Sequence, residues 1–221
     1  SITAWIIAAT GFWLDVTVLA FVLRGAGFVM TLMKKSLVKN IGQAVLGLSL
    51  VFVGLIYIKS SIPAIDTVPQ IAGSIAGLAS HGIGSVLIFM LIGVVVTFIL
   101  QSSSVTVVLT MVLAYLGWLP FPMAAAMVLG ENIGTTIGAN IAASGAGVQA
   151  RRAALAHTVF NVAGAVFVLI FFNIFIKINL GLVSLFGLDS QMTAVFGIAC
   201  VHTLFNAIST LVLVWFRKPF A

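Results

Sequence analysis

Between Lys59 and Arg151 the chain carries no lysine or arginine, and its only acids are Asp66 and Glu131. A water-soluble domain cannot cover its surface with so little charge. The rest of the sequence is of the same kind: charged residues make up 6% of the 221, and mean hydropathy is +1.29. Several apolar runs approach or exceed the roughly 18 residues needed to cross the hydrocarbon of a bilayer. They are continuous rather than alternating with a period of two, which argues against a β-barrel. The expected fold class is an all-α integral membrane protein lying in the cell membrane with several passes.

The net charge of +6 sits in short clusters between apolar runs: Lys34, Lys35 and Lys39; Arg151 and Arg152; Arg217 and Lys218. That is the pattern of cytoplasmic loops and not of a nucleic-acid surface, so no nucleic-acid partner is expected. The lone cysteine, Cys200, cannot form an intrachain disulfide and reads as a small core residue. Trp5, Trp13, Trp118 and Trp215 lie near segment ends, as interface anchors do. Ser1 opens directly into apolar sequence without a signal peptide, so the chain is expected to be a piece of a longer protein.

Residues 2–12 are too short to span alone. Asp15 follows, then a run over 16–33 that contains Arg24. A basic loop, "KKSLVKN", is expected at 34–40, a span at 41–58, and a polar loop with an interfacial helix at 59–80. A long apolar region, 82–143, is interrupted at "QSSS" (101–104), "GWLPFP" (117–122) and "GENIGTT" (130–136). Spans at 151–176 and 191–216 complete the chain. The pieces 105–116 and 121–130, at about 1.5 Å per residue, each reach roughly half the hydrocarbon thickness. Two half-length helices joined by a Gly/Pro turn suggest a re-entrant hairpin or broken helices, the backbone form that marks substrate sites in secondary transporters. With the basic clusters inside, 16–33 runs inward and 151–176 runs outward.

That opposition matches a weak internal repeat. "SITAWIIAATG" (1–11) pairs Ile2, Ala4, Ile6 and Ala8 with Ile137, Ala139, Ile141 and Ala143 of "TIGANIAASG" (136–145). An inverted-repeat transporter is therefore expected, forming a single membrane domain. Residues 1–40 read as the tail of a first repeat. Residues 41–221 read as the second, with a lead-in span, the broken-helix region 82–143 and two further spans. The first copy of the polar islands would lie upstream of Ser1 or on another chain, and self-association stays open. A second echo, "AHTVFN" (156–161) and "VHTLFN" (201–206), places His157 with Asn161, and His202 with Asn206, on shared helix faces. These pairs are either polar glue between helices or participants in ion or proton movement.

The islands suit small ions. Ser102, Ser103 and Ser104 are placed to cap and open the helix from Val105, where free N–H groups and the positive dipole end favour an anion. Gln101 adds an amide. Gly134 permits close backbone approach, and Thr135 and Thr136 supply hydroxyls ahead of the short run 137–143. Neutral donors must hold the anion, since no cationic side chain is at hand. A cation needs oxygen ligands, which freed carbonyls, Ser/Thr hydroxyls and Glu131 can offer. A carboxylate at membrane depth is costly, so Glu131 is either a cation ligand or pairing partner, or a structural hydrogen-bonding group.

With these residues in view, the sequence resembles the type II sodium/phosphate cotransporter family, its bacterial members above all. That family carries paired "QSSS" and "G-x-N-I-G-T" motifs, matched here by Gln101, Ser102, Ser103 and Ser104 and by Gly130, Asn132, Ile133, Gly134, Thr135 and Thr136. "GQAVLGLSLVFVGLIYIKSSIPAI" (42–65) resembles the family's lead-in to a repeat, and "RRAALAHTVFN" (151–161) the stretch after the second motif. Only one complete motif pair is present. The resemblance implies sodium-driven symport of inorganic phosphate by alternating access, with no enzymatic step and no organic cofactor. It implies phosphate contacts at Gln101, Ser102, Ser103, Ser104, Asn132, Gly134, Thr135 and Thr136, and sodium contacts at Gln101, Ser104, Glu131, Asn132 and Thr135. Rival readings are a sodium-coupled carrier of sulfate or a carboxylate, an intramembrane serine hydrolase using Ser103 or Ser104 with His157 or His202, and a purely structural membrane subunit.

Overall fold

The computed structural model describes residues 1–12 and 16–213, and among these it holds helices and turns without strands. Trp13, Asp15, Trp215 and the pair Arg217–Lys218 lie outside the described residues. The helices are α1 (Ile2–Ile6, followed by a π-helical turn Ile7–Gly11), α2 (Val16–Thr31), α3 (Ser36–Ser61), α4 (Pro69–Leu78), α5 (Ile83–Leu100), α6 (Ser103–Tyr115), α7 (Phe121–Ser144), α8 (Val148–Ile170), α9 (Phe172–Ser184) and α10 (Ser190–Leu213). Four described helical stretches, Ser36–Thr67, Ile83–Leu100, Val148–Ile170 and Ser190–Leu211, are long and apolar enough to cross a membrane. The chain is a multi-pass, all-α membrane protein.

The chain divides into two compact units, Ile6–Ala64 and Ser1–Trp5 with Ile65–Ala221. In the first, α2 and α3 form an antiparallel hairpin. Gly27 and Gly42 meet where it is tightest: a Cβ added at Gly27 would stand 2.9 Å from the Leu46 nitrogen, and one at Gly42 would stand 2.9 Å from the Gly27 carbonyl oxygen. Val16, Ala20 and Phe52 form the buried cluster beyond that crossing. Lys59 donates to the Gly11 carbonyl at 2.9 Å and lies 3.9 Å from the centroid of the Phe12 ring, so its charge caps a helix end instead of facing lipid. The basic loop expected at 34–40 is shorter than the sequence suggested: α3 begins at Ser36 and takes Lys39 into its first turn.

In the second unit, α10 packs against α6, α7, α8 and α9, and α5 packs most extensively against α7. The α5–α7 contact is backbone against backbone. A Cβ at Gly130 would strike the Met90 carbonyl, one at Gly93 would strike Met127, and one at Gly134 would lie 2.6 Å from the Val94 oxygen. Residues 90 and 94 thus meet 130 and 134 in the same order, so the two helices run parallel, and the shorter α6 returns between their ends. Glycines four apart allow this approach, which is how membrane helices gain packing where lipid removes the hydrophobic drive.

Three further features differ from the sequence reading. The expected helix start at 130–136 is absent: α7 runs without a break from Phe121 to Ser144, so 121–130 is not a half-length helix. The island needs no break, because its glycines face α5 and its side chains bond back to their own helix. A break that was not expected falls at Phe171, where α8 gives way to α9 within 151–176. Trp118 is buried at the α6–α7 turn, and Trp5 donates from Nε1 to Thr203 Oγ1 at 2.8 Å and packs edge-on against Phe196; both tryptophans serve internal packing.

The seam predicts a contrast between two glycines of α7. Gly130→Ala forces α5 outward and is expected to cost about 1–3 kcal/mol, as overpacking does. Gly138→Ala has no atom within 4 Å of the new methyl and should leave stability unchanged. Thermal unfolding in detergent measures both.

Candidate functional site

The turn between α5 and α6 is built by the first island. Gln101 takes a left-handed conformation with φ of 52°, the only described non-glycine residue with positive φ. That value costs an L-residue some strain. It stops α5 at Leu100 and lets Ser102, extended at φ −150° and ψ 105°, cap α6 by accepting from the Val105 N–H at 3.4 Å. Ser103 and Ser104 occupy the first turn of α6, where helical N–H groups have no intrahelical partner. Ser102 and Ser103 are half-buried, and Ser104 is exposed.

The second island lies along α7. Asn132 donates to the Val128 carbonyl at 2.8 Å, Thr135 to the Glu131 carbonyl at 2.9 Å and Thr136 to the Ile133 carbonyl at 2.8 Å. Glu131 is wholly buried. Its Oε1 accepts from Thr110 Oγ1 on α6 at 2.6 Å, while Oε2 has no hydrogen-bond partner. Sequence reasoning missed Thr110, which sits inside the apolar run "VVLTMVL" with no pattern to mark it.

The two islands meet at one cavity of about 360 Å³ lined by Thr97, Phe98 and Gln101 of α5 and its end, and by Gly134, Thr135, Gly138, Ala139, Ile141 and Ala142 of α7. Of the residues expected to bind ions, Gln101, Gly134 and Thr135 are brought together there. Ser102, Ser103 and Ser104 stand at the adjoining start of α6. Asn132 and Thr136 are buried and turned to backbone carbonyls, and Glu131 lies one turn before Gly134 and Thr135 on the same stripe of α7. Thr97 was also missed. It is 1% exposed, and its Oγ1 has no hydrogen-bond partner.

The histidine–asparagine pairs lie elsewhere. Asn161 and Asn206 each donate to the backbone carbonyl of the histidine four residues before, at 2.9 and 2.7 Å, and so bond within their own helices. His157 is exposed and lines a groove of alanines between α7 and α8. Side-chain bonds that do join α7 to α8 run from Asn140 Nδ2 to Thr158 Oγ1 at 2.6 Å and from Arg151 to the Ser144 carbonyl at 2.8 Å. A larger hollow of about 580 Å³ lies toward the opposite ends of α5 and α7, between Ile83, Met123, Phe171 and their neighbours. Asn173 is its sole polar side chain, so its walls suit lipid better than an ion.

A family model for the Na+/Pi-cotransporters matches residues 72–210. Over 188 residues, 85% of the chain, the sequence is 29% identical to YjbB of Escherichia coli strain K12, provisionally named an inorganic phosphate export protein, and the match covers 32% of that protein. Over 164 residues, 72% of the chain, it is 32% identical to YqeW of Bacillus subtilis strain 168, whose name assigns no activity, and covers 50% of it. The chain spans about a third to a half of the length of these relatives. No solved structure matches it.

The Thr110–Glu131 bond yields a stability prediction. Thr110→Val leaves both carboxylate oxygens buried and unpaired, which is expected to cost about 1–3 kcal/mol. Thr110→Ser should cost far less, and the penalty should shrink when Glu131→Leu removes the carboxylate first. A thermal-unfolding double-mutant cycle reads this coupling.

Proposed function

The chain belongs to the Na+/Pi-cotransporter family, and on that premise we propose that it moves inorganic phosphate across the membrane in symport with sodium. The observation that carries this reading is the cavity shared by Gln101, Gly134 and Thr135, which unites residues of both polar islands. An oxyanion there takes hydrogen bonds from the Gln101 amide, from serine hydroxyls, and from the free N–H groups that open α6. The positive dipole end of α6 supplies the favourable potential that a lysine or arginine would otherwise give. Neutral donors hold the anion without trapping it, which suits a carrier that must release its guest.

Sodium is the second cargo. Hard oxygen ligands from Gln101, Ser104, Thr135 and the Glu131 carboxylate fit such an ion, and its charge offsets both the carboxylate and the phosphate at membrane depth. The family's second motif pair, on sequence beyond this chain or on another chain, would close the site from the opposite side, and alternating access would follow from one half rocking against the other. Sodium entering down its gradient draws phosphate the same way. The export in YjbB's name is the opposite sense for that protein.

The test is labelled-phosphate flux in proteoliposomes holding the full-length protein. Flux should require a sodium gradient, fail with choline, and yield to competition by arsenate but not by sulfate or succinate. Ser103→Ala and Thr135→Ala should each lower flux about tenfold or more, equivalent to roughly 1.4 kcal/mol of lost binding. Flux indifferent to sodium, or competition by sulfate equal to that by arsenate, would contradict the proposal.

A further inference from the structure

Helical threonines in this chain mostly turn their hydroxyls to their own backbone. Thr106, Thr135, Thr136, Thr158 and Thr203 each donate to a carbonyl three or four residues earlier. Two threonines beside α7 depart from this habit. Thr110 donates across to Glu131 Oε1 at 2.6 Å. Thr97, although 1% exposed, leaves Oγ1 without a partner and lines the cavity that holds Gln101 and Thr135.

The second unpartnered oxygen is close by in the fold. A Cβ added at Gly134 would lie 2.9 Å from the Thr97 Cβ, and Glu131, with its unpaired Oε2, precedes Gly134 by one turn on the stripe that continues into the cavity wall. Buried polar atoms are almost always paired, so an orphan on the cavity wall and a second one helical turn behind that wall mark a place that a further group fills. Their chemistry selects the guest. A carboxylate oxygen and a hydroxyl oxygen present lone pairs, and no lysine or arginine occurs between Lys59 and Arg151 to meet them. An anion beside the Glu131 carboxylate would be repelled, which directs phosphate toward Gln101 and the start of α6 and leaves the Glu131 side for a small cation.

We propose that Thr97 is a ligand of the coupled cation: its Oγ1 and Glu131 Oε2 bind one sodium ion at the floor of the cavity, and Thr110 holds the carboxylate in register. This rests on the sodium-coupled reading above and extends it to a residue outside both polar islands. Phosphate then sits above a sodium ion that neutralises the carboxylate beneath it.

The test compares Thr97→Val, which keeps the shape and removes the hydroxyl, with Thr97→Ser, which keeps the hydroxyl. Two readouts are taken on the full-length protein: the sodium half-saturation of phosphate flux, and the rise in melting temperature that NaCl gives over choline chloride without phosphate. Thr97→Val should raise the sodium half-saturation about tenfold or more and abolish most of the sodium-induced stabilisation. Its phosphate half-saturation at saturating sodium should stay within about twofold of the wild type, and Thr97→Ser should respond to sodium as the wild type does. If Thr97→Val does not fold, Thr97→Cys, which lacks a hard oxygen, is read in its place against Thr97→Ser. A sodium response unchanged in the variant lacking the hydroxyl overturns the proposal, as does a change confined to phosphate half-saturation. A wild-type flux that ignores sodium overturns the coupled reading itself, and the site with it, before any variant is compared.

Discussion

The approach of α5 to α7 at Gly93, Gly130 and Gly134 sets the geometry of everything around it. No side chain intervenes at those positions, so the two backbones run parallel at close range up to residue 134, near where α5 ends. The cavity opens there, with the left-handed turn at Gln101 on one wall and Thr135 on the other. In lipid, where the hydrophobic effect gives helices little reason to associate, such backbone contact is among the strongest determinants of which helices pair.

The second constraint is that a buried polar group without a partner is costly. α7 meets it for most of its groups by turning Asn132, Thr135 and Thr136 to carbonyls of its own helix and by taking a hydrogen from Thr110 of α6 at Glu131 Oε1, while Oε2 stays unpartnered. A polar island therefore runs through an unbroken helix. The α5–α6 junction meets the same constraint differently, with a left-handed residue, a serine cap, and free N–H groups at the start of α6. One island is a helix start and the other a helix face, and the cavity lies where they adjoin.

The membrane class and most helices were legible in the sequence, because charge scarcity and run length are physical requirements of a bilayer. The continuity of α7 was not. Gly130, Asn132 and Gly134 are helix breakers in water, and the sequence alone does not say that the glycines are needed for packing and the asparagine can bond back. The break at Phe171 was hidden for the opposite reason: "FVLIFFNIFIK" contains neither glycine nor proline to mark it. Thr97 and Thr110 sit singly within apolar runs, where a threonine ordinarily back-bonds and means little. What sets them apart is what they fail to bond, or bond across to, and that is a property of the assembled helices.

The most direct measurement is an experimental structure of the full-length protein with sodium and phosphate bound. Tetrahedral density should touch both the Gln101 turn and Thr135, with α7 continuous from Phe121 to Ser144 and still seated on α5 through its glycines. Density for the anion away from these two residues, or α7 unwound at Gly130–Thr136 in the loaded state, would contradict this reading.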